Sequence, residues 1–130
     1  MIAVDTNIVI RLLTGDDPAQ LARARYLFET EKVFLPKTVV LETEWVLRSL
    51  YGLAASDIIR ALTALVTLPQ VSVEDSATII EALGWLRQGL DFADALHLAS
   101  SRMSERFVTF DRALVRRAKV AVTRIVVAAP

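Results

Sequence analysis

A chain of 130 residues is long enough for one domain with a real core, and its 54% hydrophobic content lies above the ~45–50% usual for soluble domains, which points to an oligomer, a tightly held partner or a core-rich monomer. Fifteen basic and fifteen acidic residues cancel, which excludes a general electrostatic binder of nucleic acid; RNA or DNA would need a local basic rim and a metal. The absence of cysteine excludes disulfides and thiolate metal sites, no stretch reaches the length of a membrane span, and the start MIAVDTN lacks the basic segment of a secretory signal, so a cytoplasmic protein is expected.

IAVD reads as a short buried strand and NIVIRLLT as a helix stopped by Gly15. DPAQLARARYLFETE predicts a helix capped by Asp17, with Pro18 at its first position and Leu21, Ala24, Leu27 and Phe28 on one face. VFLP is a second apolar strand. TVVLETEWVLRSLY predicts a helix from Thr38 to Tyr51 ended by Gly52, and SDIIRALTALVTL another, capped by Ser56. VSV is a brief strand. DSATIIEALGWLRQ is helical up to Gly89, and DFADALHLASS is a helix begun by Asp91. FVTF is a strand, DRALVRRAK a helix begun by Asp111, and RIVV a last strand. Apolar strands alternating with helices predict a layered α/β fold on a parallel sheet, whose buried strands read as continuous apolar runs.

In such sheets ligands bind beyond the carboxyl ends of the strands. Asp5 ends the first strand and Asp111 ends FVTF; Asp91 and Asp94 open the helix DFADALHLAS; Glu42 lies in the helix after the second strand. Each has a bland explanation. Asp5, Asp91 and Asp111 are good helix caps, and acids suit a first helical turn. Glu42 has Thr38, Val39, Trp45 and Val46 as helical neighbours and is expected to point inward, whereas Glu44, with Arg48 four residues later, is expected to form a solvated ion pair. Together the acids suggest more. Three or four carboxylates in one crevice repel one another and need a cation to stay ionised. Oxygen ligands without cysteine favour Mg²⁺ or Mn²⁺ over zinc, and such a site in a small α/β domain suggests phosphoryl chemistry.

The segments IAVDTNIVIRLL, LPKTVVLETEWVLRSLYG, LDFADALHLASS and FVTFDRAL, in that order and spacing, resemble a PIN domain, and more narrowly the toxin subunit of VapBC-type toxin–antitoxin pairs. The resemblance spans essentially the whole chain. It implies a single PIN domain over residues 1–130, a three-layer α/β/α fold with a central parallel sheet of four to five strands. Asp5, Glu42, Asp94 and Asp111 match the family's four carboxylates, which bind Mg²⁺ or Mn²⁺ and support hydrolysis of RNA phosphodiesters. Thr6 and Asn7 complete the D-T-N signature, with Asn7 steadying the Asp5 carboxylate or a metal-bound water. Thr109 matches a hydroxyl position near the fourth acid, and Asp91 is an outer ligand or a cap. The resemblance further implies an endoribonuclease toxin, a homodimer, and larger complexes with a cognate antitoxin whose tail blocks the site. The region from YLFETEKVFLP through VLRSLYG offers apolar faces for such contacts.

His97, the one histidine, follows Asp94 by three residues, and a structural role is expected for it ahead of a general base. Trp45 and Trp85 are expected in a core or interface. Arg112, Arg116, Arg117 and Lys119 form the densest basic cluster. It is either a solvated helix face or a rim for RNA phosphates, with Arg112 and Arg116 as the named contacts and Arg11 and Arg48 as further candidates. Two alternatives stand against this reading. A haloacid-dehalogenase-like phosphatase needs a second aspartate where Asn7 stands. A non-catalytic PIN-like interaction module within a promoter-binding antitoxin complex does not explain the four acids.

Overall fold

A computed structural model describes residues 1–121 and 123–130. The chain divides into two compact units, Met1–Ser76 and Ala77–Pro130. The first carries β1 (Ile2–Ala3), α1 (Thr6–Thr14), α2 (Pro18–Thr30), β2 (Val33–Leu35), α3 (Lys37–Ser49), α4 (Ala55–Val66) and β3 (Val71–Val73). The boundary falls at the start of α5 (Ser76–Arg87), and the second unit continues with α6 (Phe92–Ser100), β4 (Arg106–Val108), α7 (Arg112–Ala121) and β5 (Val126–Ala128).

All strand pairings are parallel, as expected. In the first unit the order is β1-β2-β3, with Ile2 opposite Val33 and Phe34 opposite Ser72. In the second, β4 pairs β5 with Phe107 opposite Val127. The central strand β2 explains the apolar run VFL: Val33 and Leu35 are fully buried, as expected of a parallel strand covered on its faces. Around it α1 packs on α2 and α3, α3 on α4, and α4 on β3. α4 contributes Ile58, Ile59, Leu62 and Leu65, one apolar stripe at helical spacing. In the second unit α7 packs on β5 and buries Leu114, Ala118 and Ala121 at intervals of four and three.

Local chemistry sets the ends of these elements. Gly15 adopts φ +64°, and its N–H reaches the Arg11 carbonyl at 3.0 Å, closing α1 in the left-handed cap that glycine makes easily. Asp17 accepts from the Gln20 N–H at 3.1 Å with Pro18 at the first helical position, as expected. Several boundaries differ from expectation, three of them with consequences. α4 starts after Ala54 with no side-chain cap, and Ser56 lies inside its first turn. α3 ends at Ser49, two residues before Tyr51. The Tyr51 hydroxyl instead donates to Asp16 at 2.6 Å, and Arg11 pairs with Asp16 at 3.0 Å. The Tyr51 bond is the main reason the Asp16 carboxyl titrates below its ordinary value. β4 covers Arg106–Val108, so Phe110 lies beyond it, in the turn to α7.

The N-terminus of α3 follows Pro36, which cannot cap it. Glu74, in the loop after β3, supplies the acceptor, taking the Lys37 N–H at 2.8 Å, while Asp75 pairs with the Lys37 ammonium at 3.1 Å. Removing this acceptor as Glu74→Ala should cost about 1 kcal/mol, the usual value of a lost cap. The urea midpoint would report it, and Glu74→Gln, which keeps an acceptor, should lose less.

Candidate active site

In the first unit Asp5 stands where β1 hands over to α1. Its Oδ1 accepts the Thr6 N–H at 2.8 Å, and its carbonyl accepts from Ile8 at 3.1 Å, so it does cap α1. Its second carboxylate oxygen has no protein partner among the described residues, and the side chain is exposed. Thr6 is only 6% exposed, and its hydroxyl is buried with no hydrogen-bond partner among the described residues. A buried hydroxyl without a partner costs free energy, which makes Thr6 an unsatisfied polar group next to Asp5. Asn7 makes no hydrogen bond to Asp5. It lines a cavity of about 300 Å³ between α1 and α2, together with Ile8, Arg11, Gln20, Arg23, Ala24 and Leu27.

The two glutamates of α3 reverse the expected orientation. Glu44 is buried at 2% exposure and Glu42 is exposed. The buried stripe of α3 runs through Val40, Thr43, Glu44 and Leu47. Two of its members are polar, so the apolar neighbours of Glu42 pointed to the wrong face. Thr43 settles its hydroxyl on the Val39 carbonyl at 2.7 Å, and Glu44 pairs with Arg48 at 3.0 Å. The expected Glu44–Arg48 pair is present, but its carboxylate end is buried. Trp45, expected in a core or interface, is half exposed, whereas Trp85 is buried. Arg11, committed to Asp16, Gln20 and Tyr51, and Arg48, committed to Glu44, are tied up in structural contacts.

In the second unit Asp91 and Asp111 each stand within electrostatic reach of Asp94. Asp91 caps α6, its Oδ2 accepting the Asp94 N–H at 3.2 Å. Asp111 caps α7, its Oδ1 accepting the Leu114 N–H at 3.1 Å, and its own N–H donates to the Thr109 hydroxyl at 3.0 Å. Asp94 caps nothing. Its carboxyl is pushed above the ordinary value, first by desolvation and then by the charges of Asp91 and Asp111, with His97 and Arg117 partly opposing. Among the described residues neither unit closes three carboxylate or imidazole groups onto a point that could hold a metal ion. What the second unit holds is one partly buried carboxyl, Asp94, repelled by two neighbouring acids.

Arg112 and Arg116 are exposed on the far side of α7 from its buried stripe. Arg117 flanks that stripe, three residues from Leu114, and is the α7 cation felt at Asp94. Arg117 belongs to the expected basic cluster, although only Arg112 and Arg116 are named as contacts; the helical wheel built on Leu114, Ala118 and Ala121 sets it apart.

A protein-family model for the PIN domain matches residues 2–120. The chain belongs to the PIN domain family. The match takes in all four acids matched to the family's site and runs through both compact units of this PIN domain. Among solved structures it is similar to the Mycobacterium tuberculosis toxin VapC20, described as cleaving the sarcin–ricin loop, at 24% identity and a TM-score of 0.46, over 88% of this chain and 92% of that one. A comparison with curated proteins finds no match. No helix among the described residues is long and apolar enough to cross a membrane.

The repulsion at Asp94 has a definite sign. A carboxyl whose folded pKa is raised binds protons more readily in the folded state. It therefore lowers stability as pH rises from the unfolded value through the folded one, and the loss persists at neutral pH. Asp94→Asn should raise the melting temperature of the metal-free protein at pH 7, and the gain should vanish below the ordinary aspartate value of 3.8. Thermal melts across pH in EDTA provide the measurement; a uniform gain at every pH would mean that charge is not the cause.

Proposed function

We propose that this PIN domain is a Mg²⁺- or Mn²⁺-dependent endoribonuclease that acts as the toxin of a cytoplasmic toxin–antitoxin pair and is restrained by a cognate antitoxin. The observation that carries the reading is the PIN-family match over residues 2–120, taken with the Asp91 and Asp111 charges that act on Asp94. A carboxylate repelled by two others is one whose charge a divalent cation would favour. The donor types suit such an ion: carboxylate oxygens, and no cysteine in the chain.

Asp5, Glu42, Asp94 and Asp111 would hold the ion, which when bound would polarise a phosphate oxygen and activate water for in-line displacement. The chain's own residues have separate tasks. Asp91 spends an oxygen on the Asp94 N–H and so fixes the first turn of α6 on which Asp94 is carried. Thr109 holds the Asp111 backbone, and the cap to Leu114 sets the Asp111 carboxylate. Glu42 is exposed and so available to a ligand, whereas Glu44 is spent on Arg48. Arg112 and Arg116 would hold flanking phosphates. They belong to a segment, residues 77–130, with eight basic and five acidic side chains, a net +3 that the neutral total conceals.

A homodimer and a larger assembly with antitoxin belong to the same proposal. Support for protein contacts comes from exposed apolar side chains in the first unit: Tyr26 at 66%, Trp45 at 50% and Leu50 at 70%.

The test is cleavage of a mixed RNA pool by pure protein with Mg²⁺ or Mn²⁺ and with EDTA. Cleavage should require the metal. Glu42→Gln and Asp94→Asn should each reduce it by more than the ~10–100-fold typical of losing a ligand's supporting partner. Glu44→Gln should leave the rate near wild type. If metal-loaded protein cuts no RNA, the reading falls to that of a non-catalytic interaction module.

A further inference from the structure

Phe110 is 89% exposed, the most exposed aromatic side chain among the described residues, and it immediately precedes Asp111. A phenylalanine in water forgoes the burial that usually justifies the residue. Its position is nevertheless rigid. The Thr109 N–H donates to the Ala128 carbonyl at 3.0 Å, the Asp111 N–H to the Thr109 hydroxyl at 3.0 Å, and the Leu114 N–H to Asp111 Oδ1 at 3.1 Å. The ring is thus presented from a turn pinned on both sides, with its Cα ~3.8 Å from that of Asp111.

The surroundings decide what such a ring meets. Residues 102–124 contain seven basic and two acidic side chains. Arg102 is spent on Thr78 and the Ala99 carbonyl, and Arg124 on Glu81. Arg106, Arg112, Arg116, Arg117 and Lys119 are exposed and carry no side-chain hydrogen bond or ion pair among the described residues. Protein interfaces draw on the same aromatic and arginine side chains. A lone exposed aromatic among unpaired cations is also the composition that binds single-stranded nucleic acid, where the ring stacks a base and the cations hold phosphates, and this is the occupant that suits the ribonuclease reading.

We propose that Phe110 is a base-stacking residue: it holds the nucleobase next to the phosphate engaged at Asp111 and biases which base flanks the cut. The inference rests on the ribonuclease reading. Its test uses short single-stranded RNA carrying 2-aminopurine, bound to protein in the Asp94→Asn background, where hydrolysis is blocked. Phe110→Ala should weaken binding ~5–150-fold, the equivalent of one lost aromatic–base stack, and should abolish the quenching of 2-aminopurine. Phe110→Trp should restore both. In the otherwise wild-type protein Phe110→Ala should broaden the map of cut sites and raise KM more than it lowers kcat, with the melting temperature unchanged because the ring is exposed.

Equal affinity, equal quenching and an unchanged cut map for Phe110→Ala, in a protein that still cleaves RNA, overturn the stacking role and leave the nuclease standing. A changed oligomeric mass with RNA binding unaffected makes Phe110 a protein contact and overturns it as well. Wild-type protein that neither binds nor cleaves RNA removes the ribonuclease reading, and this inference with it.

Discussion

Three of the candidate site acids start a helix and give one carboxylate oxygen to the backbone, as Asp17 does at α2: Asp5 to Thr6, Asp91 to Asp94, and Asp111 to Leu114. The first N–H groups of any helix lack intrahelical partners, so short strands that hand over quickly to helices need such caps. The cap also does something for chemistry. It sets the carboxylate's orientation through a bond to helical backbone while using only one of its two oxygens. Capping and ligation are therefore not rival explanations for these residues, because each uses a different oxygen of the same group.

The same bonds keep the negative charges where they are. A surface carboxylate can normally swing away from a like charge at little cost. Asp91 and Asp111 are anchored by their caps, so their field falls on Asp94, which accepts no cap bond and is half-buried. Desolvation and repulsion act in the same direction there, and His97 and Arg117 offset them only in part. A protein without a ligand for this cluster would gain by replacing one member with a neutral residue. Keeping all three is understandable if a cation completes the balance.

How much of this could be read from the residues varies with range. Signals confined to a few neighbours held: Asp17-Pro18 opens α2, Gly15 closes α1, and Asp91 and Asp111 cap as their positions suggest. Signals that depend on tertiary packing did not. The inward face of α3 is chosen by what packs on it, and it contains Thr43 and Glu44, so apolar periodicity alone selected Glu42. The cap of α3 comes from Glu74, thirty-seven positions away, through a contact that no local pattern announces. The end of β4 at Val108 places Phe110 in a turn, although FVTF reads as one apolar strand. The four spaced acids were legible as a set because their segments match a family. Their distances were not, because loop path and unit boundary decide them.

Net charge shows how a whole-chain number can mislead. The first 76 residues carry seven basic and ten acidic side chains, and the remaining 54 carry eight and five. Neutrality is thus the sum of two opposite halves. On the proposed reading this division has a use, because a carboxylate cluster that must receive a phosphate repels it. Cations exposed on the far side of α7, such as Arg112 and Arg116, act on an approaching polyanion at range and weaken with salt. Arg117, on the flank of α7, acts on the Asp94 carboxyl. One short helix then performs two electrostatic tasks, and the buried stripe of Leu114, Ala118 and Ala121 decides which arginine does which.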